Sequence, residues 1–348
     1  MRQRLPHSLR ATRPRRRSVD AVGRRLHKVG LAGVLTDLDR VAEPCSVPGA
    51  AAGEGLTWDL HDREDHAWFP QGVTSIRSGA VLLVSWYAHR RRFLPSPGAR
   101  ISVLDRTDAD RPRYRHVLLV TPRRPLGFLS LGAVRVHAGG IAVLGDLLYV
   151  ADTNVGVRVF RLDDVARVPR RRRDAHGCDY VLPQLLRLRF PLRAGADRLK
   201  VSFLSVGEVA GQLSLVVGEY GRKGTTPRLV RYLLDPSTGL PALGADGRCA
   251  PLKVHERQPH RMQGVAVHGS TWFVTASAGE GNPGDLYVGS PGGLHRHRGV
   301  LPTGPEDLDW SRPGEELWCV TEWPGRRWVF PIDAGRWLPG AAGRRRTP

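Results

Sequence analysis

One apolar strand recurs five times along the chain, and that recurrence restricts the fold more than any other feature. Its copies are Val81-Leu-Leu-Val-Ser-Trp86, Leu147-Leu-Tyr-Val-Ala-Asp152, Leu213-Ser-Leu-Val-Val-Gly-Glu219, Trp272-Phe-Val-Thr-Ala-Ser277 and Leu317-Trp-Cys-Val-Thr-Glu322, with starts 66, 66, 59 and 45 residues apart. Self-similarity at such intervals marks a repeated supersecondary unit. A strand of smaller residues precedes each copy: Gln71-Gly-Val-Thr-Ser-Ile76, Gly139-Gly-Ile-Ala-Val143, Val201-Ser-Phe-Leu-Ser-Val206, Gln263-Gly-Val-Ala-Val267 and Pro305-Glu-Asp-Leu-Asp-Trp310. A third strand follows at 100–104, 157–162, 229–234, 285–288 and 328–332, and a fourth is legible at 114–121, 251–255 and 294–300. Gly, Pro and Asp clusters between them signal tight turns. Helical periodicity is scarce, and its best candidates are 163–168 and 183–188.

The class is therefore all-β. Four antiparallel strands repeated radially make a β-propeller, and five units predict five blades. Small residues suit the first strand, which lines a crowded central channel. The second strand is apolar on both faces because neighbouring blades sandwich it. The last unit has no fourth strand after Ile332, and Leu56-Thr-Trp-Asp-Leu60 can supply one from the other end of the chain. That N-terminal strand would close the ring and remove an exposed edge. A two-sheet sandwich and a six-bladed ring with a unit within 163–198 are the competing arrangements.

The flanks differ in character. Residues 1–50 are poor in aromatics and hold ten Arg and Lys28 against four acidic residues, which predicts a disordered basic segment. Within it, Arg24-Arg25 ahead of Val29-Gly-Leu-Ala-Gly-Val-Leu35 resembles a twin-arginine targeting signal. The apolar stretch is seven residues, at the lower limit of a secretory signal, so a cytoplasmic location is favoured over a secreted one. The propeller is expected over 51–335, and 336–348 as a second disordered basic tail. No run reaches the length of a membrane-spanning helix. Four cysteines without CxxC pairing exclude a disulfide scaffold and a structural zinc site, and Cys319, within an apolar strand, is expected as a buried thiol.

The formal charge of +20 invites a nucleic-acid reading. More than half of that excess lies on the two flanks, and four of the 53 basic residues are Lys. Such Arg dominance, with abundant Ala, Gly and Pro, has the look of GC-rich coding as in actinobacteria. Nucleic acid is therefore an unlikely partner. It would require the runs Arg90–Arg92, Arg123-Arg124 and Arg170–Arg173 to line one face.

Leu148-Tyr-Val-Ala-Asp-Thr-Asn-Val-Gly-Val-Arg-Val-Phe160 resembles the NHL repeat. The wider strand rhythm is similar to the NHL, SMP-30 and strictosidine-synthase-like propellers, and the close match covers about one blade. The resemblance implies a propeller and leaves the function open, since such propellers include hydrolases, lyases, lactonases and binding platforms. It also implies a central divalent ion of the SMP-30 kind. Calcium or zinc is the cofactor that the ring would admit, through His137, His260, Glu306, Asp152, Glu219 and Glu322. The family's ligand set is not reproduced blade by blade.

Strand direction predicts where a site must lie. The start of each first strand and the end of each second strand share one face, near the axis. The residues brought there are Gln71, His137, Asp152, Asn154, Glu219, His260, Gln263, Glu306, Glu322 and Trp323. A concave polar mouth with aromatics is the expected binding site. Asp152 reads equally as a turn cap, the histidines as structural, and the aromatics as packing between blades. The glycines at the strand starts serve either turns or close approach to a ligand. There is no GxSxG elbow, no P-loop spacing in Gly221-Arg-Lys-Gly-Thr225, and no HExxH, because Pro259 interrupts His255-Glu-Arg-Gln-Pro-His260. The first reading is a monomeric enzyme acting on a small molecule, of hydrolase, lactonase or cyclase/isomerase type, with Glu306 and Glu322 as acid/base candidates. The other readings are a non-catalytic platform for a protein, glycan or ligand, and RNA binding through a basic face.

Overall fold

The computed structural model describes residues 7–89, 96–123, 128–169, 172–190, 198–311 and 316–338. The protein is all-β, and its strands fall into five groups in which successive strands pair antiparallel. The first group runs Trp68–Ile76, Val81–Ala88, Ala99–Asp105 and Arg113–Arg123. The second runs Ile141–Leu144, Leu147–Asp152, Gly156–Arg161 and Tyr180–Arg189. The third runs Phe203–Val209, Gln212–Gly218, Leu229–Leu233 and Lys253–His255. The fourth runs Met262–His268, Thr271–Ala276, Pro283–Gly289 and His295–Thr303. The fifth runs Pro305–Ser311, Glu316–Thr321 and Trp328–Asp333, and continues with Glu54–Thr57, which pairs through Thr57 with Trp328 and through Leu56 with Val329. The expected closing segment 56–60 is thus strand as far as Thr57, and Asp59 then caps a short helix, Leu60–Glu64.

Packing explains why the second strand of each unit is apolar on both faces. Side chains alternate across a strand. In Val81–Ala88, Val81 and Leu83 enter a core shared with the second group, while Leu82, Val84 and Trp86 enter one shared with the fifth. Three further cores lie between groups two and three, three and four, and four and five. Each group therefore buries both faces, and the cores follow one another in a cycle. The five first strands also touch in a cycle: one to two, two to three, three to four, four to five, five to one. Glycine permits this approach at the axis. A Cβ on Gly264 would stand 2.5 Å from the Cα of Asp307, and one on Gly139 would collide with the Ser202 carbonyl oxygen.

Three expectations are corrected. The segment 183–188 is strand, not helix: it belongs to Tyr180–Arg189, whose Val181–Pro183 pairs parallel with Leu118–Val120. The candidate 163–168 is a 3₁₀ turn, Leu162–Asp164, followed by the strand Ala166–Arg167. Residues 7–50, expected as disordered, are folded along the outer strands. Helix Arg16–Arg25 buries Val19, Ala21 and Val22, and helix Gly30–Leu35 buries Leu31 and Val34. Arg10–Ala11 pairs with Leu188 and Arg189, His27–Lys28 with Ala166–Arg167, and Arg40–Val41 with Arg113 and Tyr114. The apolar side chains of this segment are few but fall on one helical face, and its arginines take the other. The stretch that resembles a targeting signal is the helix Gly30–Leu35 itself. Of the C-terminal tail expected over 336–348, Arg336 ends a 3₁₀ turn, Ala334–Arg336, and 339–348 lie outside the described residues. Among the described residues no helix is long and apolar enough to cross a membrane, and the four cysteines are free, with Cys319 buried.

Candidate active site

A cavity of about 970 Å³ opens over the ring of first strands. Six of the residues expected at the mouth line it: His137, Asn154, Glu219, Gln263, Glu322 and Trp323. Gln71 and Glu306 lie against it, buried and hydrogen-bonded to its lining. The Gln71 Nε2 donates to Glu322 Oε2 at 3.0 Å, and the Gln263 Nε2 donates to Glu306 Oε1 at 2.8 Å. The two carboxyls lie close enough for each to shift the other's proton affinity. Glu306 begins the first strand of its unit and Glu322 follows the second, so the antiparallel hairpin brings them side by side at one end.

Both carboxyls are pushed toward their protonated forms. Burial pushes the Glu306 carboxyl well above its ordinary value, and the adjacent Glu322 pushes it further. Burial also raises Glu322, against hydrogen bonds from Gln71 and Glu306 that favour its ionised form, and it settles at about 7. Glu306 is 1% exposed, and its Oε2 meets no protein donor. A buried acceptor left so is costly, and a proton on Glu306 shared with Glu322 removes the cost. Two carboxyls in contact cannot both ionise cheaply, so one proton is retained between them.

Other groups frame the pair. Arg327 is buried; its Nε donates to the Glu322 carbonyl at 2.9 Å and its Nη1 to the Asp62 carbonyl at 2.6 Å. Burial lowers this guanidinium to about 10. Tyr87 lines the cavity, and burial beside Glu322 and Glu306 raises its phenol. The His137 ring lies 4.3 Å from that of Tyr87, and the surrounding protein lowers its imidazole to about 4. The next residue, Ala138, has φ of 54°, an uncommon angle for a residue with a side chain, and is buried, so the backbone kink that presents His137 is firmly held. Beneath the pair, Asp307 accepts from the Ile141 N–H at 3.0 Å and the Val73 N–H at 3.3 Å, tying first strands of three groups together.

Two of the expected residues are not brought to the mouth. Asp152 is a structural cap: its Oδ1 accepts from the N–H groups of Asn154 and Val155 at 2.9 and 3.2 Å, and its Oδ2 from Arg158 Nε at 2.8 Å. His260 lines a separate cavity of about 610 Å³ with Arg257, Arg261 and Tyr287. Glu219 lines the mouth but is held by Arg228 at 2.7 and 3.0 Å and by the Lys200 N–H at 2.8 Å. Sequence reasoning missed Arg198 and Lys200, which line the cavity directly before the third first strand. Their signal was present, since the same position in other units supplies His137 and Gln71.

The donor set does not fit a central divalent cation. Asp152 and Glu219 are committed to arginines, and Glu306 and Glu322 to each other and to amides. Among the described residues, the His, Asp, Glu or Cys atoms that converge within 4.8 Å are those of His61, Asp62 and Asp65, none of which lines the mouth. Asp62 is itself saturated, by Arg100, Tyr114 and His116 at 2.9, 2.7 and 2.8 Å. Of the basic runs that RNA binding would require, Arg90–Arg92, Arg124, Arg170 and Arg171 lie outside the described residues, and Arg172 is paired with Asp174 at 2.7 Å.

No protein-family model matches the chain, and no curated protein matches its sequence. Solved structures are similar to it. A gluconolactonase of Xanthomonas campestris is 15% identical, with 85% of each chain covered and a TM-score of 0.40. The β-propeller domain of Cps50 (Swd1) from Myceliophteria thermophila is 13% identical over 84% of this chain and 97% of its own, with a TM-score of 0.38. A GH43_1 enzyme from Xanthomonas citri is 11% identical over 91% of this chain and 92% of its own, with a TM-score of 0.39.

Proposed function

We propose that the chain is a five-bladed β-propeller enzyme that acts on a small organic molecule at the mouth of its channel. Glu306 and Glu322 form its proton-handling unit. The cycle of five cores and five first strands supports the blade number. The pairing of Glu54–Thr57 with Trp328–Asp333 supports closure by a strand from the N-terminal side. The segment 7–50 is then an outer strap on the propeller.

One observation carries the function: two neighbouring carboxyls, each held by a glutamine amide at the wall of a roomy polar cavity, with Glu322 raised to about 7. A base near neutrality is where proton transfer is most effective. Glycoside hydrolysis needs its two carboxyls roughly 5–9.5 Å apart, flanking the scissile bond. A pair in contact leaves no room for that bond, which favours acyl hydrolysis or proton-shuttling isomerisation. In lactone or ester hydrolysis, ionised Glu322 takes a proton from water as its oxygen attacks the carbonyl carbon. Glu322 then returns that proton to the alkoxide as the C–O bond breaks. Glu306, which touches Glu322 and not the cavity, is a positioning residue that keeps one proton in the pair. Trp323 and Tyr87 offer apolar faces to the substrate.

The test is a panel of lactones and simple esters with the wild type, Glu322→Gln and Glu306→Gln. Glu322→Gln is expected to lower kcat/KM on the order of 10²–10⁴-fold. Wild-type activity should rise through about pH 7 as Glu322 ionises and fall at higher pH as Glu306 loses its proton. Glu306→Gln should abolish the alkaline fall. A fully active Glu322→Gln overturns the assignment, and no turnover by the wild type favours the binding-platform reading.

A further inference from the structure

We propose that the wall of the mouth formed by the third strand group is an anion subsite, and that the small molecule bound there carries a carboxylate or phosphate group. This rests on the acid–base reading only in assigning the opposite end of the ligand to Glu322; the binding itself does not depend on it. The cavity is electrically lopsided. Glu322, Trp323 and Tyr87 belong to the fifth and first groups, whereas Arg198, Lys200, Arg222 and Arg228 all come from the third. Glu219, the carboxylate on that wall, is consumed: both of its oxygens are bonded to Arg228, and one also accepts the Lys200 N–H. It therefore leaves the side chains of Arg198, Lys200 and Arg222 uncompensated. Among the described residues none of these three has a carboxylate within ion-pair distance. Three cations on one wall of the cavity, with no carboxylate paired to them there, form a site for an anion, because a concave wall of one sign raises the local potential.

The backbone reinforces this. The turn Gly221-Arg-Lys-Gly-Thr225 resists assignment as a P-loop, yet its geometry is fixed. The Thr225 Oγ1 accepts from the Arg222 N–H at 2.9 Å and donates to the Arg222 carbonyl at 2.7 Å. Gly221 and Gly224 take φ of 67° and 84°, a region that favours glycine. The turn is thus held so that Gly221, Arg222 and Gly224 all border the cavity. An anionic group is drawn to this wall and repelled by ionised Glu322, which orients the ligand with its uncharged, reacting end toward the acid–base pair.

Isothermal titration of the full chain in low-salt buffer tests this, with inorganic phosphate and succinate as probes and chloride of equal ionic strength and glycerol as controls. The expected result is saturable binding of phosphate or succinate, and which one binds distinguishes the two anion chemistries. Substituting Arg198, Lys200 and Arg222 together by Gln should weaken that binding by at least on the order of tenfold. Lys200→Gln alone, on an exposed side chain, is the second variant should the triple fail to fold. Glu322→Gln should bind as tightly or more tightly, since it removes the opposing charge. No saturable binding of either probe, or equal binding by the triple variant or by Lys200→Gln, overturns the proposal. A Glu322→Gln variant that binds anion but keeps full activity would overturn the acid–base reading and leave the subsite standing.

Discussion

Replacing Glu322 by Gln should make the protein more stable and less active, and the stability gain should depend on pH. The Glu322 carboxyl moves from 4.5 to about 7 on folding. Each unit of such a shift is worth about 1.4 kcal/mol, so ionising Glu322 in the mouth costs about 3 kcal/mol more than in the unfolded chain. Because the folded value lies above the unfolded one, the stability contributed by the neutral group is complete below about 4.5 and lost as pH rises through about 7. The amide in Glu322→Gln cannot ionise, yet its oxygen still accepts from Gln71 and from protonated Glu306. Urea unfolding at pH 4 should therefore give nearly equal stabilities for the two proteins. At pH 8 the variant should be more stable by about 3 kcal/mol. Equal stability at pH 8, or a variant less stable at both pH values, would refute the reasoning.

Other outcomes follow from the same geometry. Gly139→Ala places a methyl against the Ser202 carbonyl at the axis, and calorimetry should show a loss of about 1–3 kcal/mol or more. Asp152→Ala frees Arg158 and two N–H groups; a loss of about 1–3 kcal/mol in urea unfolding, with anion binding unchanged, would match its role as a cap, whereas lost binding would return it to the mouth. Val22→Asp buries a charge where the N-terminal helix meets Leu118 and Val120, and should destabilise the whole fold by several kcal/mol; an unchanged melting temperature would show that the segment does not pack as described.

Much of this was legible in the sequence because the apolar strand repeats. The alternation in Val81–Ala88 already carries the two-sided burial, and the hairpin spacing of Glu306 and Glu322 already implies that their side chains meet. The site was less legible where a side chain has two uses. Asp152 sits where a mouth residue would, but its own turn and Arg158 claim both oxygens. His260 comes from the same position as His137, yet the backbone turns through positive φ on either side of it, at Arg257 and Arg261, and it lines the neighbouring cavity. The N-terminal segment was misread because composition is averaged over its arginines, while Val19, Val22 and Leu26 bury a single narrow face. The fourth strand of the second group was missed because Pro183 and a long connection obscure the rhythm that marks the others.

The most direct measurement is a difference-infrared titration of the carboxyl stretch in the wild type, Glu322→Gln and Glu306→Gln. The account predicts one carboxyl band that titrates near pH 7 and is absent from Glu322→Gln, and one that stays protonated above it and is absent from Glu306→Gln, beside bands from Asp307 and Asp309, also raised by burial, that all three proteins share. Ionisation by about pH 5.5, near the ordinary carboxylate range, of the bands that Glu322→Gln and Glu306→Gln remove would contradict it.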